Sequence, residues 1–205
     1  MQPRKARAMA DNDIPAAAGH TALVILDMIN ALDFEGGAEL KQSAEGAVEA
    51  ILALRAAADG AGVPVIYVND NDGQWHSERT KLIEAALAKH GPGHELIKRL
   101  RPRESDYFII KPQFSGFYST NLAVLLPQLD VSRLIITGIA ADICVLFTAA
   151  DAHMRQYELW IPCDSVAGSL PERTRWALDI MRNSMKADTR GTGELSLADW
   201  VAAAT

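Results

Sequence analysis

The sequence predicts an α/β protein of three layers (α/β/α), a Rossmann-like parallel sheet with helices on both faces. Three observations lead there. Short, wholly apolar runs recur along the chain without the polar alternation of a half-exposed strand. Segments with apolar residues at helical spacing lie between those runs, as in βαβ units. The chain of 205 residues is 49% hydrophobic and 22% charged, which suits one domain with a substantial core. That apolar content excludes global disorder. With 14 Gly, 9 Pro and 2 Cys, collagen-like and disulfide-scaffold classes are excluded too.

The elements follow in order. Residues 21–27 (TALVILD) read as a strand buried on both faces. Residues 38–58 carry Leu40, Ala44, Val48, Ile51 and Leu52 at helical spacing and end at Gly60 and Gly62. Residues 63–69 (VPVIYVN) form a second strand, with Pro64 tolerable only at its start. Residues 77–89 are expected to be helical, capped by Ser77 and closed by Gly91 and Pro92. A third strand covers 107–110, a short helix 119–128, and a fourth strand 133–138 (RLIITG). Residues 142–155 form the next helix, with Asp142 as a plausible N-cap, and 157–162 (YELWIP) a fifth strand. A helix over 171–185 starts with Pro171 in its first turn, and SLADWVAAA adds a terminal helix capped by Ser196.

Charge and termini narrow the class. Lys and Arg total 20 against 26 Asp and Glu, a net charge of −6, which argues against a nucleic-acid partner. No apolar run is long enough for a transmembrane helix, so no membrane partner is expected. Arg4, Lys5 and Arg7 are not followed by the apolar segment of a signal peptide, and Asp11 and Asp13 argue against a transit peptide. Residues 1–20 are expected to be a flexible tail and the protein cytoplasmic. In the cytosol Cys144 and Cys163 are reactive or buried thiols rather than a cross-link.

In parallel sheets ligands bind beyond the carboxyl ends of the strands. Three such ends carry reactive groups. Asp27 closes the first strand; a loop-capping role is as good a reading as a functional one. Lys111 closes the third, where a snorkelling surface lysine is the ordinary interpretation. Cys144 falls at the start of the helix after the fourth, where free N–H groups and the helix dipole favour a thiolate and predict a lowered pKa. A free cysteine is also often a small core residue. The case rests on all three converging on one sheet edge.

These segments resemble the isochorismatase-like cysteine hydrolases, which include nicotinamidases and N-carbamoylsarcosine amidohydrolases. The carriers are LVILDMINALDF around Asp27, IIKPQFSGFYSTNL around Lys111 and LIITGIAADICVLFTAADA around Cys144. The resemblance assigns residues 21–187 to the hydrolase domain and leaves 188–205 as a C-terminal extension. It implies a six-stranded parallel sheet, a catalytic triad of Asp27, Lys111 and Cys144, and a homo-oligomer, a dimer or larger. It further implies an oxyanion hole from the backbone N–H groups of Ala140 and Cys144, with a cis peptide between Ile139 and Ala140. The implied reaction is hydrolysis of a C–N bond in a small amide, ureide or carbamoyl compound through a thioester. The cysteine separates this from true isochorismatases, which cleave a vinyl ether.

No cofactor is expected. The metal site of nicotinamidases, an Asp and two His, is not matched: after the second strand stand Asp70 and Asp72, with His76 beyond Trp75 as the one His. Phe34, Trp75, Phe117 and Tyr118 are candidate substrate-binding residues, with core or subunit-interface packing an equal reading for each. Cys163 is expected to be an ordinary thiol. The basic run Lys98, Arg99, Arg101 and Arg103 reads as a solvated face. The alternative function is a thiol-based redox or stress protein whose Cys144 reacts with oxidants.

Overall fold

The computed structural model describes residues 17–204, so the expected N-terminal tail lies, up to residue 16, outside the described residues. Six strands form one sheet: β1 (Thr21–Leu26), β2 (Val65–Asp70), β3 (Tyr107–Lys111), β4 (Arg133–Ile139), β5 (Glu158–Trp160) and β6 (Val166–Ala167). Their order is β3-β2-β1-β4-β5, with β6 on β4, and every pairing is parallel. The chain steps outward from β1 to β3, then returns to the other side of β1 as β4. The strand order therefore reverses between β1 and β4, where such sheets open a crevice.

The helices are α1 (Gly37–Ala61), α2 (Arg79–Ala88), α3 (His94–Arg99), α4 (Leu122–Gln128), α5 (Leu146–Met154), α6 (Pro171–Met185) and α7 (Leu197–Ala202). Successive residues of a strand point to opposite faces. In β1, Leu23 and Ile25 enter one core with α1, α3 and α7, while Ala22, Val24 and Leu26 enter the other with α4, α5 and α6. That explains the unbroken apolar run: each residue is buried, on alternate sides. Full burial contributes roughly 1.5–3 kcal/mol per large aliphatic side chain. None of the helices among the described residues is long and apolar enough to cross a membrane.

Several elements differ from the sequence expectation, each for a local reason. The fifth strand shrinks to three residues because Pro162 lacks a donor and starts a turn, with Ser165 N–H and Oγ both bonded to the Pro162 carbonyl at 2.9 Å. The chain then rejoins β4 as the short β6. Ser77 does not cap α2; Glu78 holds that position without a side-chain bond, and Ser77 Oγ turns to the Glu78 carbonyl. The helix expected from 119 begins at Leu122, because Thr120 Oγ1 bonds back to the Gly116 carbonyl at 2.6 Å and folds the preceding residues into a turn. Helix α3, which the sequence reading did not include, leads into the basic run and ends at Arg99. That run sits at the amino-terminal edge of the sheet and is engaged by carboxylates: Arg99 by Glu49 at 2.7 Å, and Arg103 by Asp59 and Asp106.

Residues 188–204 pack onto the same body. Asp188 bridges to Trp160 as an extension of the sheet, and the Trp160 indole donates to the Arg190 carbonyl at 2.8 Å. Ser196 caps α7, its hydroxyl accepting from Asp199 N–H, as expected. Trp200 stacks on Trp160 at 5.8 Å between centroids, and the Arg133 guanidinium lies 4.0 Å over its ring. We expect Trp200→Ala to destabilise the protein by roughly 3–5 kcal/mol in denaturant unfolding. Trp200→Phe should cost far less, because the buried indole N–H has no partner among the described residues. A loss below about 1 kcal/mol in the alanine variant would mean that this segment is not part of the cooperative core.

Candidate active site

Asp27 is the first residue past β1. It takes a left-handed conformation (φ 53°), and its N–H still donates to the Val68 carbonyl at 3.1 Å. The chain beyond it is clamped by Asn69, a buried side chain on β2. Asn69 accepts from Ile29 N–H at 3.0 Å and donates to the Ile29 carbonyl at 3.1 Å. One carboxylate oxygen of Asp27 accepts the Asp70 N–H at 2.7 Å. The other, Oδ2, is buried, faces Lys111 and has no aligned hydrogen-bond donor among the described residues.

Lys111 is the last residue of β3 and stands in register with Asp70 at the end of β2. Lys111 does not snorkel to the surface, since 0% of it is exposed. Its Nζ lies 3.0 Å from Asp27 Oδ2, 3.3 Å from Asp70 Oδ2 and 3.5 Å from Cys144 Sγ. The ammonium is thus the point at which three strand ends meet.

Cys144 is positioned by the end of β4. Gly138 has φ 109°, and a Cβ there would stand 2.1 Å from the Leu26 carbonyl oxygen, so only glycine fits. The Ile139–Ala140 peptide is cis. One turn of π-helix, Ala141–Val145, follows and leads into α5. The Ala140 carbonyl anchors it, accepting from Ile143 N–H at 3.0 Å and Val145 N–H at 3.2 Å. Asp142 is therefore not an N-cap: Ala140 occupies that position, and Asp142 instead pairs with Arg173 of α6 at 3.5 Å.

The electrostatics correct a further expectation. Burial pushes the Cys144 thiol up to about 12, and the Asp27 charge adds to this; the Lys111 cation opposes both and does not prevail. Burial also raises Asp27, against the charge of Lys111 and the Cys144 thiol. Burial lowers Lys111, but the charges of Asp27, Cys144 and Asp70 outweigh it and hold the ammonium above its ordinary value. The Cys144 thiol is thus held above its ordinary value, against the expectation of a lowered one.

Two expected pocket residues line a cavity of about 500 Å³ at the ends of β2 and β3: Trp75 and Tyr118. Ile110 and Pro112, the neighbours of Lys111, form part of its wall. Phe34 does not line it and is half exposed. Phe117 is a core residue, tilted against Tyr157 at 6.0 Å between centroids and covered by the Arg155 guanidinium. Its loop is drawn inward because Gly116 N–H donates to Thr148 Oγ1 at 2.9 Å and Ser115 Oγ donates to Asp151. Cys163 is exposed on the loop after β5. Asp70 faces Lys111 and Asp72 pairs with Lys89 at 2.8 Å. Sequence reading missed Asn69 and the pairing of Asp70 with Lys111; both depend on strand register, which single residues do not signal.

The isochorismatase domain model matches residues 21–192. The chain belongs to the isochorismatase family. An uncharacterized isochorismatase family protein of Bacillus subtilis, YaaI, is 41% identical over 167 residues, covering 82% of this chain and 91% of that protein. The ureidoacrylate amidohydrolase RutB of Serratia proteamaculans is 33% identical over 169 residues, covering 70% and 68%. The crystal structure of N-carbamoylsarcosine amidase from Thermoplasma acidophilum superimposes with a TM-score of 0.65 at 28% identity, covering 86% and 98%. The chain is a hydrolase of this family.

The raised thiol has a direct chemical consequence. Without substrate, the rate of Cys144 alkylation, read by peptide mass spectrometry, should keep climbing well above pH 9. A plateau with a midpoint at or below the ordinary thiol value of about 8.5 would contradict the assigned electrostatics.

Proposed function

We propose that the protein is a cysteine amidohydrolase that cleaves the C–N bond of a small amide, ureide or carbamoyl compound through a thioester on Cys144. The observation that carries this is the buried Lys111 ammonium, 3.0 Å from Asp27 and 3.5 Å from Cys144. Asp27 Oδ2 has room for a proton, and the thiol holds one. As sulfur attacks the carbonyl carbon, the thiol proton passes to Asp27. The tetrahedral oxyanion is received by the N–H groups of Ala140 and Cys144 in this reading. The C–N bond breaks as Asp27 returns the proton to the leaving nitrogen. Water then attacks the thioester, giving a proton to Asp27 that finally restores the thiol. Lys111 keeps its charge throughout and orients both partners.

The named activities of two relatives, ureidoacrylate amidohydrolase and N-carbamoylsarcosine amidase, support C–N hydrolysis. These named activities favour C–N hydrolysis over the thiol-redox alternative. The proposal includes a homo-oligomer. Phe114 and Phe147 form an exposed aromatic pair, 5.6 Å between centroids, that a second copy could cover; light scattering should give at least twice the 22.2 kDa chain mass, and a monomer would refute this. The cytosol, where thiols stay reduced, is the compartment this chemistry suits.

Cys144→Ala should lose turnover of any amide substrate by at least about a thousandfold with an unchanged melting transition. In the native protein, mass spectrometry should detect an acyl adduct on Cys144. Full activity in the variant overturns the proposal. The pH dependence follows from Asp27, which must be ionised to take the thiol proton. Its carboxyl is raised above 3.8, so kcat/KM should fall as pH drops through a midpoint above that value. An acid limb at or below 3.8 would show that another group is the base.

A further inference from the structure

The Lys111 ammonium has three protons to give and three partners within reach: Asp27 Oδ2 at 3.0 Å, Asp70 Oδ2 at 3.3 Å and Cys144 Sγ at 3.5 Å. Distance and direction rank them differently. The contacts to Asp70 and Cys144 have hydrogen-bond geometry. The nearer contact to Asp27 is an ion pair whose angles are not those of a hydrogen bond, and the buried Oδ2 has no donor among the described residues. The ammonium is close enough to act on Asp27 by its charge, yet it is aimed elsewhere.

Asp70 is the group that draws it away. Asp70 ends β2 in register with Lys111 at the end of β3. Its carboxylate is itself held: Oδ1 accepts the Asp72 N–H at 2.9 Å, which leaves Oδ2 to the ammonium. The other charged groups around the ammonium come from β1, as Asp27, and from the π-turn, as Cys144. Asp72, next along the turn, is drawn off by Lys89 at 2.8 Å. The Asp70 side chain is 39% exposed against 7% for Asp27, so replacing it by a group of the same shape costs the fold little.

On the footing that the amidohydrolase reading is right, we infer that Asp70 is a positioning residue: it holds the ammonium turned toward itself and Cys144, and so keeps Asp27 Oδ2 open to receive the thiol proton. A base whose acceptor oxygen is capped by Lys111 is a poorer base, because a hydrogen bond and an opposite charge both favour the carboxylate. Removing the Asp70 charge frees one ammonium proton, and the ammonium then re-aims at Asp27. It also takes an anion away from the neighbourhood of Asp27. Both changes lower the Asp27 carboxyl, while the burial that raises it is unchanged.

Asp70→Asn keeps the shape and removes the charge. Carbon NMR of the aspartate carboxyls, with Asp27 assigned by its loss in Asp27→Asn, should show Asp27 titrating about one pH unit lower in Asp70→Asn than in the native protein. In ammonia release from N-carbamoylglycine or succinamide, kcat should fall at least about tenfold and KM change less than about threefold, and the acid limb of kcat/KM should move down with the carboxyl. Asp70→Ser, whose hydroxyl offers the Asp72 N–H another acceptor, should behave alike and decides the matter where the carboxamide disturbs folding. An Asp27 midpoint that stays or rises in a folded variant overturns the inference, as does an unchanged kcat or loss of the fold in both variants, and each leaves the amidohydrolase reading standing. Where neither probe is turned over, the midpoint alone decides. A lowered midpoint in a protein that forms no acyl adduct on Cys144 sinks the amidohydrolase reading and keeps the coupling of Asp70 to Asp27 through Lys111.

Discussion

A lysine ammonium held wholly out of water is the constraint on which this site depends. An unpaired buried cation would simply lose its proton. Lys111 keeps it because Asp27 and Asp70 stand 3.0 and 3.3 Å away. Those contacts require the ends of β1, β2 and β3 to finish level with one another. The ladder provides this, pairing Asp70 with Lys111, while the Asp70 N–H fixes the other oxygen of Asp27. The apolar sheet therefore serves as a ruler: each strand length sets where one charge emerges.

Burial, with this charge balance added to it, accounts for the raised thiol. Two carboxylates against one ammonium already leave the site with an excess of negative charge. Burial already disfavours the thiolate, and losing the Cys144 proton to solvent would add another anion beside Asp27; together these raise the thiol to about 12. Passing that proton to Asp27 instead creates no net charge: one anion is exchanged for another next to the same ammonium. A high thiol pKa and a competent nucleophile are thus compatible, provided that the base is in the site. The expectation of a lowered pKa weighed only the helix start. It could not weigh burial or the neighbouring carboxylate, because neither is visible until the strand ends are brought together.

Much of the fold was legible because it is written in local pattern. The runs around Leu23–Leu26 and Leu134–Ile136 are apolar on both faces and became the two central strands. Pro171 and Ser196 marked helix starts through their own backbone chemistry. What failed depended on partners far away in sequence. Phe117 looked like a pocket residue until Thr148 and Asp151 drew its loop onto α5. Asp142 looked like a cap, but the chain after Gly138 enters a π-turn whose anchor is the Ala140 carbonyl. The segment 188–204 looked like an appendage because a short amphipathic helix reveals nothing about Arg133 and Trp160, the residues that receive it.

The site itself divides in the same way. Asp27, Lys111 and Cys144 could be named from the sequence, since each is a reactive group closing or following an apolar strand. The residues that give them their properties could not. Asn69 fixes the backbone beyond Asp27 and Asp70 completes the charge around Lys111. Asn71 begins the turn that follows, its N–H donating to the Lys111 carbonyl and its Oδ1 accepting from Gly73 N–H. These three residues are consecutive at the end of β2 and the turn after it, so a single strand end both clamps the backbone beyond Asp27 and completes the charge around Lys111. A one-residue slip of β2 would exchange the strand's two faces. Strand register is therefore what sets the environment of the proposed nucleophile.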